Sequence, residues 1–149
     1  MNLGFLLISR ESWITVILSL ILSLPVGVIS GLYSGLIVAR YQRFSDLRTR
    51  VLRIIREIDF IQEGSKFVFP RRKEVSELFF IASDFFFLSH ERAGEETLRL
   101  EAEITETLRK ASRGGIDFEA FNSIYLSWQE RGRHLGPSLV WILRLWGGL

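Results

Sequence analysis

Polar and apolar positions divide the chain into two unlike parts. From Ser12 to Ala39 no residue carries a charge. From Arg40 onward apolar residues return every third or fourth position, interleaved with arginine and glutamate. The first pattern predicts a helix that is apolar on every side, and the second predicts amphipathic helices packed on one another.

A bilayer core of about 30 Å needs about 20 apolar residues in helical form, and the uncharged run is longer than that. Trp13 and Tyr41 stand near its two ends, where amphipathic rings favour the headgroup layer. Pro25 lies inside it. In a soluble helix that proline would cost about 3 kcal/mol; in a membrane, nearby hydroxyls such as those of Ser19 and Ser23 can satisfy the carbonyl it frees. Residues 13–39 are therefore expected to form a transmembrane helix, with residues 1–12 as a short external or interfacial N-terminus. Val28-Ile29-Ser30 resembles a cleavage site. Arg10 is offset by Glu11, however, and the apolar run continues to Ala39, so an uncleaved anchor is expected.

The flanking charges set an orientation. Arg40, Arg43, Arg48, Arg50, Arg53 and Arg56 follow the run with only Asp46 among them, whereas Arg10 alone precedes it. The positive-inside rule then places the N-terminus outside and residues 40–149 in the cytoplasm of a cell with a bacterial-type inner or plasma membrane. Arg40, Arg43, Arg48 and Arg50 are expected at the inner leaflet, each contributing about 1 kcal/mol against anionic lipid when close to it.

Small residues recur at every fourth position: Ser19, Ser23, Gly27, Gly31, Gly35 and Ala39. Gly27, Gly31 and Gly35 form a doubled GxxxG motif. Absent side chains let helix backbones approach closely, which favours association inside lipid. With one span per chain, the expected partner is a second copy or another membrane protein.

The remaining pattern predicts helices at about 40–63, 71–92, 95–112, 117–131 and 138–146. Phe44, Leu47, Val51, Ile54, Ile58 and Ile61 share a face of the first, and Leu52 and Ile55 widen it. Gly64-Ser65 ends it, and Lys66 to Pro70 reads as an extended connector. In the second, Val75, Leu78, Phe79, Ala82, Phe85 and Phe86 share a face and other phenylalanines cover most of the rest, which predicts burial in a core or against lipid. Ala93-Gly94 is expected to break it. The third carries a narrow stripe of Leu100, Ile104, Leu108 and Ala111. Asp117 is the expected N-cap of the fourth, with Phe118, Phe121, Tyr125 and Trp128 buried, and Gly132 to Gly136 reads as a loop. The last helix is too short to span and is either a lid on the bundle or an interfacial helix with its tryptophans at headgroup depth. The expected fold class is all-α: a single N-terminal transmembrane helix continuing into a cytoplasmic four- to five-helix bundle. No alternation long enough for a sheet is visible.

Composition adds mainly exclusions. The chain has 149 residues, no cysteine, two histidines and a net charge of +2. Disulfides, thiol nucleophiles, iron–sulfur clusters and thiolate zinc sites are excluded, and the two histidines lack metal-binding spacing. His90 reads as an imidazolium favoured by a helix C-terminus. Arg131-Gly132-Arg133-His134 reads as a solvated basic turn. No phosphate loop, no serine elbow and no arginine four to six residues before a histidine occurs. No enzyme activity, cofactor, metal or nucleic-acid partner is expected. The expected function is a membrane-anchored scaffold or adaptor that self-associates through its span and binds a cytoplasmic protein. An oligomeric pore or membrane-perturbing effector, with Ser19, Ser23, Ser30 and Ser34 offering hydroxyls to a lumen, is the alternative from a different class. An accessory subunit of a larger membrane complex is a third.

Overall fold

The computed structural model describes residues 3–63, 66–69 and 72–144. The chain is mostly helical, and it divides into two compact units, residues 1–39 and 40–149. A single helix, α1 (Leu3–Arg56), supplies the first unit and begins the second.

In the first unit α1 runs without interruption through Pro25. From Thr15 onward it is long and apolar enough to cross a membrane, and its apolar window is 0% buried. Leu18, Ile21, Leu24, Ile29 and Leu32 are all exposed. Ser19 and Ser23 do not serve the carbonyl that Pro25 leaves free. Their hydroxyls donate to the carbonyls of Val16 (2.8 Å) and Leu20 (3.1 Å), the local back-bonding open to a serine inside a helix.

In the second unit α1 contributes Phe44, Leu47, Val51, Ile54, Ile55 and Ile58 to the core. It ends at Arg56 rather than near residue 63. The departure lets Phe60 join Phe67, Phe118 and Phe121, with ring centroids 5.1–6.0 Å apart. Aromatic packing of this kind outweighs the weak helix preference of a few residues. The chain then forms a short antiparallel hairpin, β1 (Ile61–Glu63) with β2 (Lys66–Val68), in which Gln62 pairs with Phe67. Phe67 is buried, whereas Ile61, expected on the buried helical stripe, is exposed. Three-residue strands are too short to show an alternation in sequence. Gly64, Ser65, Pro70 and Arg71 lie outside the described residues.

A 3-10 turn (Arg72–Ser76) leads into α2 (Glu77–Phe87). Leu78, Ile81, Ala82 and Phe85 of α2 are buried. Phe79, Phe80 and Phe87 are exposed, so this helix is not covered all round. The break before α3 (Glu91–Ala111) falls at Leu88–His90, not at Ala93-Gly94. Ser89 takes a left-handed φ of 55° there, a conformation disfavoured for residues bearing a Cβ. Gly94 lies inside α3 because a Cβ there would meet the Phe86 ring at 2.9 Å. It lets α2 and α3 close on one another.

Gly114, at φ 78°, ends α3 in the left-handed turn that glycine adopts freely. Asp117 then caps α4 (Phe118–Arg133), its Oδ1 accepting the Ala120 N–H at 2.7 Å. Phe121 and Trp128 are fully buried, while Phe118 is exposed. Gly132 belongs to α4 rather than to a loop, and it is buried against Leu52, whose Cδ2 would lie 2.9 Å from an added Cβ. The last helix, α5, is short (Leu139–Leu143). Ile142 is buried and Trp141 half-buried, whereas Leu139 and Val140 face outward. Trp146, expected in this helix, lies outside the described residues.

Candidate functional site

The sequence points to two sites, and each belongs to its own unit. In the first unit Gly27, Gly31 and Gly35 face open space: a methyl group placed on any of them meets no atom within 4 Å. Ser19, Ser23 and Ala39 are exposed as well. Ser34 donates to the Gly31 carbonyl at 3.0 Å, so its hydroxyl, like those of Ser19 and Ser23, is held by the helix backbone. These hydroxyls are thus satisfied within the helix itself.

In the second unit the four arginines have separate environments. Arg40 is buried, contrary to its expected lipid-facing position. Its guanidinium donates to the carbonyls of Trp141 (3.1 Å), Ile142 (3.4 Å) and Arg144, and it lies 5.0 Å from the centre of the Trp141 ring. Cations are favoured at helix C-termini because the last carbonyls have no partner within the helix. Arg40 therefore fastens α5. Arg43 and Arg50 are exposed and share a cleft of about 370 Å³ with Asp46, Leu47, Asp84, Phe87 and Leu88. Their spacing of seven places them two turns apart on one side of α1. Arg48 is half-buried and does not line that cleft.

His90 holds α5 at its other end. It is buried at the turn between α2 and α3, and its Nδ1 accepts the Ser138 N–H at 3.0 Å. A ring nitrogen that accepts carries no proton, so the neutral tautomer has its proton on Nε2. Nε2 makes no hydrogen bond. The ring instead stands edge-on to Phe44 (4.8 Å) and Trp141 (4.9 Å). Burial pushes the imidazole below its ordinary value. It is thus a neutral structural histidine, not the dipole-stabilised imidazolium that its position near a helix end suggested.

A polar cluster joins α3 to α4. Arg131 pairs with Glu96 (2.7 Å) and Glu103, and the Trp128 indole N–H donates to Glu103 at 3.0 Å. Burial raises the Glu103 carboxyl, but hydrogen bonds from Arg131 and Trp128 and the charge of Arg131 outweigh it and hold the group below the usual range. Arg131 is correspondingly raised: burial lowers it, and its bonds and charge contacts with Glu103 and Glu96 prevail. The sequence carried a signal for this pairing. Glu96 and Glu103 are seven apart, as are two turns of helix, and Arg131 follows Trp128 by three.

Among the described residues, no group of three or more histidine, aspartate or glutamate side chains is placed to hold a metal ion. The chain matches no protein-family model, no curated protein and no solved structure.

Proposed function

We propose that the chain is a single-pass membrane anchor and scaffold: its N-terminal helix spans the bilayer and self-associates, and its helical domain recruits a protein partner in the cytoplasm. The observation that carries this reading is the apolar length of α1 in the first unit, with no residue of its apolar window buried and open space at Gly27, Gly31 and Gly35. Apolar surface contributes about 25 cal/mol per Å² when removed from water, so a bare apolar helix calls for lipid or another helix around it.

Orientation rests on the arginines that follow the run, which favour the cytoplasmic side for residues 40–149. Arg43, Arg48 and Arg50 then act on anionic headgroups, while Arg40 organises α5. Exposed Phe79 and Phe80 on α2 give the domain an apolar surface for a protein partner. Internally bonded hydroxyls at Ser19, Ser23 and Ser34 favour helix packing over a serine-lined lumen.

Carbonate extraction and protease protection of the full chain test the anchor. Retention in the membrane pellet, with the domain digested only in inverted vesicles, is the expected result. Release by carbonate removes the span, and digestion from the opposite side reverses the orientation.

A further inference from the structure

We infer that the end of the second unit beginning at Arg40 makes a second contact with the bilayer surface, through Leu139 and Val140 of α5 and Phe87 of α2. This rests on the anchored reading above.

Arg40 is peptide-bonded to Ala39, the last residue of the uncharged run. The same Arg40 holds the C-terminal carbonyls of α5. The helix is therefore fixed within one arginine side chain of the point where the apolar run ends. Ser138, at its start, is fixed by His90. Held at both ends, α5 turns Ile142 inward and leaves Leu139 at 68% and Val140 at 81% exposure. Phe87 is 83% exposed. It shares its cleft with Arg43 and Arg50, roughly 5 and 15 Å along α1 from Arg40 at 1.5 Å per residue.

Apolar side chains beside exposed arginines match the chemistry of a headgroup layer, which offers phosphates above and acyl chains just below. Position selects lipid over a protein here, because this end of the domain is the one that adjoins the span in the chain. The opposite end supplies an internal contrast. Ile61, also exposed, follows the Arg56 end of α1, roughly 24 Å along the helix from Arg40 at 1.5 Å per residue.

The chain contains no cysteine, so single labels can be placed without background. Nitroxide labels on Leu24→Cys, Val140→Cys and Ile61→Cys, each in the full chain in vesicles of phosphatidylethanolamine and phosphatidylglycerol, report depth through collision with oxygen and with a nickel chelate. The expected result is a lipid signature (high oxygen access and low nickel access) at residue 140 and an aqueous one at residue 61, with residue 24 protected from nickel. An aqueous signature at 140 with 24 protected overturns the second contact and leaves the anchor standing. Shielding of 140 from both reagents also overturns it and assigns that surface to a protein. Nickel access at 24 removes the anchor, and this inference with it.

Discussion

Glycine means different things in the two units. In the second, the missing side chains of Gly94 and Gly132 are already used: Phe86 and Leu52 sit 2.9 Å from where a Cβ would be. In the first, Gly27, Gly31 and Gly35 have nothing within 4 Å. The same contrast holds for large apolar residues. Phe44, Phe85 and Trp128 are sealed inside the second unit, while Leu18, Leu24 and Leu32 are bare in the first. One unit has found its packing partners within the chain. In the other, the glycines and these large apolar side chains stand open.

The largest effect is expected from placing a charge inside the packed unit. Phe85 is fully buried, so Phe85→Asp should cost about 3–5 kcal/mol, the scale of an unpaired buried charge. Phe87→Asp, two residues on and exposed, should stay within about 0.5 kcal/mol. Equal melting temperatures for the two variants would break the distinction between the faces of α2.

Next comes the fastening of α5. Arg40→Met removes the charged hydrogen bonds that the two protons of one guanidinium nitrogen share among three carbonyls, and a charged hydrogen bond contributes about 1.5–3 kcal/mol. Faster hydrogen exchange at the Ile142 and Arg144 amides, with little change at Leu100 or Ile104, is the expected outcome. Unchanged exchange at the Ile142 and Arg144 amides would return Arg40 to the lipid-facing set.

The glycines themselves sharpen the comparison further. Gly132→Leu should destabilise the domain by about 1–3 kcal/mol through overpacking against Leu52 and Ile55. Gly31→Leu should leave the melt of the domain unchanged and act only on association. A stability loss at Gly31 matching that at Gly132 would mean that its face is already packed.

The smallest effect concerns pH. His90 is held below the ordinary value of 6.5 by burial. Between that lowered value and 6.5 the unfolded chain binds a proton that the folded chain does not, so stability falls as pH drops through this window and is unaffected above it. His90→Asn keeps an acceptor for the Ser138 N–H and removes the titration. Its melting temperature should fall less than that of the wild type just below pH 6.5. Parallel slopes would show that His90 is not the group responsible.

These tests also mark what the sequence reveals. The stripe from Phe44 to Ile58 and the Asp117 cap are local patterns with a fixed period, and they are legible. Gly94 and Gly132 mislead because a glycine that breaks a helix and one that lets helices close look identical in sequence. The phenylalanines of α2 outnumber one face, so periodicity cannot choose which are covered. Arg40 reads as a boundary charge, yet its partner Trp141 is 101 positions away, and no spacing rule reaches that far. The spacing of Gly27, Gly31 and Gly35 is legible in the sequence, whereas nothing in the sequence names what would pack against them.

The central claim is that the open glycine face closes against a second copy. Light scattering on the full chain in mild detergent, beside Gly31→Leu, tests it most directly. A defined multimer that falls to monomer in the variant, with the melt of the domain unchanged, is the predicted result. A monomer for both, or a multimer that survives the substitution, would contradict it.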